Sequence, residues 1–177
     1  KNQKERVVDI AKILKGAISM AASLQSTDPT VLKNISRSNI SIERLAEAGK
    51  AANTSSMGTY SELILGLPGD SIATHTKSLR DTVGMNFDNI RIYQLIMLPQ
   101  TDLNTPANRA LYDMKSKYRI MPRSFGNYTV AGETFVSVES EEILVSNSTL
   151  PFDDYITCRE MDLTVEILHN GKVFLEI

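Results

Sequence analysis

Hydrophobic positions follow different rhythms in different parts of the chain. At the start, Val7, Val8, Ile10, Ala11, Ile13 and Leu14 recur at helical spacing, which predicts an opening helix that Gly16 interrupts. Ala17 to Ser26 (AISMAASLQS) then reads as a short, mostly apolar strand of the kind buried on both faces. Asp28-Pro29 supplies an N-cap followed by proline at the first helical position, so PTVLKNISR begins a short helix. Ser41 caps a further helix with a stripe of Ile42, Leu45, Ala46, Ala48 and Ala52; Arg44 at the third position rules out a reciprocal capping box.

The middle of the chain is the most regular. YSELILGLPGD predicts a strand ending in a turn at Gly66, Pro68 and Gly69. Ser71 to Asn86 predicts a helix with Ile72, Leu79 and Val83 on its buried face, and Asn89 to Leu98 (NIRIYQLIML) another strand, stopped by Pro99. Strand, helix and strand of these lengths form a βαβ unit, so the two strands should run parallel. With the first strand this gives three β–α modules.

The last third changes character. Asn104 to Lys117 reads as helical, MPRSFGNYTVAGE is rich in turn signals, and GETFVSVESEEILVSNST alternates well enough for one or two strands. Pro151, Asp153 and Asp154 open a final amphipathic helix through about Leu168, where the acidic pair suits the helix N-terminus. The expected fold is α/β: a partial (half) parallel β/α barrel over 1–103, followed by an α+β C-terminal extension over 104–177. Three modules are too few to close a barrel of about eight strands, so the first strand should carry an unpaired edge.

Composition narrows the function. The chain has 177 residues, 19 Lys and Arg against 21 Asp and Glu, and a formal net charge of −2, so no broad nucleic-acid or anionic-membrane surface is indicated. One cysteine, Cys158, excludes a disulfide framework and any self-contained zinc or iron–sulfur site. No apolar run approaches the roughly 20 residues that span a bilayer, and a cytoplasmic location is expected. The chain opens within a helix at Lys1, without Met or a signal-peptide pattern, and is expected to be a piece of a longer protein.

Ligands of parallel α/β folds bind where the strands' carboxyl ends meet the following loops. Three places qualify: Ser23-Leu24-Gln25-Ser26, Gly66-Leu67-Pro68-Gly69-Asp70 and Met97-Leu98-Pro99-Gln100-Thr101. Hydroxyls and amides in the first suit a ribose or an amino-acid head group. Glycines in the second let the backbone approach a planar ring, and backbone groups of the third can read an adenine edge. Arg37, just past the short helix, can return to the first strand end and meet a carboxylate with paired N–H donors. The plainer alternative is that all three are ordinary βα turns and Arg37 a solvated surface charge. Asp28 reads as a cap, His75 as lying on the exposed side of its helix, and Cys158 as a half-buried packing residue. Tyr93 and Gln94 face either core or cavity.

In this order and spacing, SLQSTDPTVLKNISRSNIS, SELILGLPGDSIATHTKSL and IYQLIMLPQTDL resemble the fourth, fifth and sixth strands of a radical S-adenosylmethionine enzyme barrel. With MKSKYRIMPRSFG and TLPFDDYITCR, the likeness extends from about Val7 to Leu168 and is greatest to the cobalamin-binding-domain group of Fe–S oxidoreductases. The resemblance implies that Ser23, Gln25 and Ser26 bind the ribose or methionine end of S-adenosylmethionine. It implies that Arg37 pairs with the methionine carboxylate, that Gly66 packs by adenine and that Leu98 offers backbone contacts. Gln100 and Asp70 depart from the group's usual Gly and Glu. The Cys-x3-Cys-x2-Cys motif that holds the [4Fe–4S] cluster of such enzymes is absent, so the cluster ligands would lie outside this chain.

The resemblance thus implies a non-catalytic part of an enzyme that cleaves S-adenosylmethionine reductively to a 5′-deoxyadenosyl radical, or uses it with cobalamin, on an unidentified small molecule. Its partner would be the missing N-terminal half of the same protein, and the piece alone would self-associate. Two rivals stand beside this: an α/β interaction domain that oligomerises through exposed strand edges, and a non-radical barrel enzyme of phosphorylated substrates, which lacks a Gly-rich cradle here.

Overall fold

The computed structural model describes residues 13, 19–38 and 58–173. The opening helix, apart from Ile13, and the Ser41-capped helix lie outside the described residues. The fold is α/β, with a three-stranded parallel sheet and a two-stranded antiparallel sheet. Strands β1 (Met20–Gln25), β2 (Thr59–Leu65) and β3 (Asn89–Gln94) lie side by side in chain order. Helices α1 (Pro29–Asn34) and α2 (Ile72–Gly84) follow the first two strands. Among the described residues β1 pairs with β2 alone.

Local chemistry sets the element ends. The Asp28 carboxylate accepts from the N–H groups of Thr30 and Val31, with Pro29 opening α1. Ser71 caps α2 and Thr74 reaches back to the Ser71 N–H, closing a reciprocal capping box. Gly66 and Gly69 have φ of +92° and +85°, the left-handed region that side chains with a Cβ avoid.

One face of the sheet is dry. Leu24, Leu63 and Ile90 meet Leu79 of α2, together with Met85 and Phe87 beyond it. Helix α4 (Phe152–Val165) returns to cover the next part, where Leu65 joins Ile143, Val145, Leu150, Tyr155 and Cys158. Cys158 is therefore fully buried rather than half-buried. Burial pushes its thiol pKa up to about 12, and the nearby Asp70, Asp162 and Asp154 add to the rise.

Several expectations need correction. Strand β1 is buried on one face only, since Ala21 is exposed. Strand β3 ends at Gln94 rather than Leu98, because the chain there changes partners. The Leu95 N–H still bonds the Leu65 carbonyl, but Met97 N–H bonds the carbonyl of Glu142 and Leu144 N–H that of Leu95. On α2, Val83 is 38% exposed, whereas His75 is 2% exposed, because Asp162 of α4 closes over it; Leu79 packs on the sheet and Ser78 bonds Ser26 and Thr27 at the end of β1.

The helix expected over Asn104 to Lys117 shrinks to a 3₁₀ turn at Asp102–Asn104 and α3 (Pro106–Leu111); Asp113, at φ +46°, turns the chain out of it. Strand β4 (Lys115–Val130) follows and pairs with β5 (Glu133–Ser146) in one long hairpin. Its turn is Ala131-Gly132, both at positive φ, as two-residue hairpin turns require. The turn signals at Met121-Pro122-Arg123-Ser124 mark instead a slip in register between Ile120 and Phe125, where Pro122 has no N–H to donate.

Candidate strand-end site

The carboxyl ends of three parallel strands share one edge of the sheet: Ser23 and Gln25 close β1, Ser26, Gly66 and Leu98 lie in the segments that leave the strands, and Arg37 follows α1. At the end of β1, Ser23 donates its hydroxyl hydrogen to Glu62 of β2. Gln25 has φ +63°, and the register with β2 slips between Ser23 and Gln25, so the strand end is kinked. Ser26 is buried; its oxygen lies 3.3 Å from Ser78 Oγ of α2 and accepts from the Asp28 N–H at 3.1 Å. Arg37 does return to this strand end, as its Nη2 donates to the Ser23 carbonyl at 2.6 Å. One of five guanidinium N–H groups is thereby engaged, and among the described residues the exposed side chain keeps the rest.

The turn after β2 leaves no room for a Cβ at either glycine. A Cβ on Gly66 would lie 2.7 Å from Leu144 Cδ2, and one on Gly69 would lie 2.7 Å from Asn34 Nδ2. Asn34 also donates to the Pro68 carbonyl at 3.0 Å. Inside the turn, Asp70 accepts from the Gly66 N–H at 3.0 Å and from Thr74 Oγ1 at 2.7 Å. Burial pushes the Asp70 pKa up, outweighing the opposing pull of His75 and these hydrogen bonds.

Leu98, in the third loop, is 55% exposed. Its carbonyl accepts from Thr101 Oγ1 at 2.8 Å and Asn104 Nδ2 at 3.1 Å, so the N–H is the group it has to offer a ligand.

The sheet face away from the helices carries a polar row that the sequence reading passed over. Ser23, Glu62 and Arg91 are register partners across β1, β2 and β3. Arg91 does not pair with Glu62; its guanidinium lies 4.2 Å over the Tyr60 ring. Tyr93, 46% exposed, continues the same face, whereas Gln94 points to the helix side and donates to the Tyr155 hydroxyl at 2.6 Å. The signal for this row was present as Asn89, Arg91 and Tyr93 alternating with Ile90 and Ile92 in a strand.

Behind the edge lies a buried polar cluster. His75 Nε2 is 2.7 Å from Asp162 Oδ1, and Nδ1 is 3.8 Å from Asp70 Oδ2. Arg159 donates to the other Asp162 oxygen at 3.0 Å. Among the described residues no group of three or more His, Cys, Asp or Glu is arranged to hold a metal ion. No helix among them is long and apolar enough to cross a membrane.

No protein-family model matches the chain. Two curated proteins do. One is the 2-(S-pantetheinyl)-carbapenam-3-carboxylate methyltransferase of Streptantibioticus cattleyicolor, 31% identical over 179 residues. The other is the cobalamin-dependent radical SAM methyltransferase TokK of Streptomyces tokunonensis, 31% identical over 180 residues. Each alignment takes in 97% of this chain and 25% of the relative, so the chain spans about a quarter of the length of the curated relatives it matches. Among solved structures, Elp3 of Methanocaldococcus infernus with an N-terminal deletion superposes with a TM-score of 0.48 at 23% identity, over 61% of this chain and 25% of that one.

Proposed function

Because this chain is a relative of cobalamin-dependent radical S-adenosylmethionine methyltransferases, we propose that it forms one wall of the S-adenosylmethionine and substrate pocket of such an enzyme. The observation that carries the reading is the return of Arg37 to Ser23 at the same sheet edge as the Gly66 turn and Leu98. In this reading 1–103 is the second half of a parallel barrel and 104–177 its extension. The polar row Ser23, Glu62, Arg91 then faces the barrel interior, where parallel sheets are otherwise covered.

The residues fit S-adenosylmethionine by chemistry. Arg37 binds the methionine carboxylate through its remaining N–H donors and holds it against the first strand end. Ser23 and Gln25 hold the ribose or methionine end, while Ser26 supports them from behind through its bond to the Asp28 N–H. The Gly66 turn closes over one face of adenine, and the Leu98 N–H meets its edge. The same residues do not fit an iron–sulfur cluster, since the one thiol, Cys158, is buried and neutral. Cluster ligands, and any cobalamin site, belong elsewhere in the whole enzyme, and this chain alone is inactive. S-adenosylmethionine, beside a reduced [4Fe–4S] cluster or with cobalamin, supplies the radical and methyl-transfer chemistry. The chain's own part is to bind, orient and exclude water.

The test is the full-length gene product, purified anaerobically and assayed for iron, sulfide and its EPR spectrum. About four iron and four sulfide per chain, with a reduced-cluster signal altered by S-adenosylmethionine, is the expected result. Absence of iron from a protein reconstituted under reducing conditions would sink the reading.

A further inference from the structure

We propose that Asn147 is a positioning residue for the Gly66–Asp70 turn, and through it for the adenine side of the ligand site; the inference rests on the S-adenosylmethionine reading above. A Gly-Leu-Pro-Gly turn has little to hold it in one shape, because its two glycines give up the restriction a Cβ imposes. Its own hydrogen bonds are few: the Asp70 N–H to the Leu67 carbonyl at 2.8 Å, and the Gly66 N–H to the Asp70 carboxylate. Beyond these and the bond from Asn34 Nδ2 to the Pro68 carbonyl, the constraint comes from about 80 residues further along the chain.

Asn147 is 5% exposed and its Nδ2 donates to the carbonyls of both Gly66, at 3.3 Å, and Leu67, at 3.2 Å. Its Oδ1 accepts from the N–H groups of Thr149 and Leu150, each at 2.9 Å, which fixes the amide's orientation. The Thr149 hydroxyl donates to the Asp70 carbonyl at 2.6 Å. Three carbonyls of the turn are thus gripped from behind by two side chains, Asn147 and Thr149, while Leu144 fills the space beneath Gly66. The same stretch bonds the third loop through Glu142 and Leu144. A single strap therefore sets the spacing between the turn and the Leu98 segment. Preorganised ligand contacts need such a supporting layer, since a small displacement of the contacting groups forfeits much of their value.

Asn147→Asp separates the two roles of the side chain. The variant keeps an oxygen for Thr149 and Leu150 but sets a second one against the carbonyls of Gly66 and Leu67. In the full-length gene product, affinities are measured for S-adenosylmethionine and for 5′-deoxyadenosine, which lacks the methionine. Asn147→Asp is expected to weaken both by a similar factor, about tenfold for the loss of a buried positioning contact. Arg37→Ala is expected to weaken S-adenosylmethionine only. Phe87→Leu, a core change away from the turn, controls for lost stability and should leave both affinities unaltered at comparable Tm. Unchanged 5′-deoxyadenosine binding in Asn147→Asp, with a lowered Tm, overturns the positioning role. Wild-type protein that binds neither ligand overturns the S-adenosylmethionine reading itself. Thr149→Val, read by the same criterion, serves if Asn147→Asp does not fold.

Discussion

The parallel sheet and the distal half of the β4–β5 hairpin are both strand structure, yet they treat hydrophobic residues in opposite ways. In β2, Leu63 and Leu65 are fully buried beneath α2 and α4, and the polar Glu62 stands on the other face. In the hairpin, Phe125, Val136 and Val138 are 64%, 71% and 54% exposed, and Tyr128 stacks on Phe135 at 5.9 Å. Only the base of the hairpin, at Ile143, Leu144 and Val145, reaches the core. A strand gains stability from what covers it; alternation of side chains merely makes a face available. The helices that follow the parallel strands provide that cover, and a two-stranded ribbon has no helix of its own.

The sharpest way to break the contrast is at the buried cluster that fastens α4 to α2. His75→Ala takes the buried hydrogen-bond partner from Asp162 Oδ1 and removes a buried ring between α2 and α4, and should cost about 3–4 kcal/mol in urea unfolding. A loss below 1 kcal/mol, taken as an order of magnitude, would mean that α4 is held by its apolar contacts alone.

Next comes the contrast itself. Leu65→Ala should cost about 3 kcal/mol, through lost burial and the cavity left behind. Val136→Ala on the ribbon should change stability by no more than about 0.5 kcal/mol. Equal costs at the two sites would show that the ribbon is covered in solution, for instance by a second copy of the chain.

An effect smaller than those at His75 and Leu65 is expected where the hairpin base is pinned by Arg109, whose Nη2 is 2.6 Å from Glu142 Oε1; Ser116 also donates to that oxygen. Those two hydrogen bonds hold the Glu142 pKa below its ordinary 4.5. The bridge therefore stabilises the fold above that value, and the contribution is lost as pH falls through the folded pKa. Asp70 has the opposite sign: its raised pKa means that its contribution to stability falls as pH rises from 3.8 through the folded value. Glu142→Gln should cost about 1–2 kcal/mol at neutral pH, and the difference from wild type should vanish in strong acid. A difference that persists there would assign the effect to packing rather than charge.

Much of this was legible in the chain itself. Asp28-Pro29, Ser71 and the Gly66–Gly69 turn placed two helix starts and a strand end correctly, because caps and left-handed turns are local chemistry. The βαβ order required parallel strands, and parallel strands put their loops at one edge, where Arg37 does return to Ser23. The polar row through Glu62 and Arg91 was visible only as an alternation, with no local feature to say that its face stays uncovered.

What the sequence determined, then, was whatever a few neighbouring residues settle: caps, turns, strand direction and the strand-end loops. Tertiary structure decided the rest. His75 is buried because α4, some 80 residues later, brings Asp162 against it; Leu95 to Met97 leave the parallel sheet because β5 offers them another partner; Asn147 reaches Gly66 across a whole hairpin. Each of these rests on groups far apart in the chain, and a hydrogen bond or burial site created by that encounter leaves no periodicity in the sequence on either side of it.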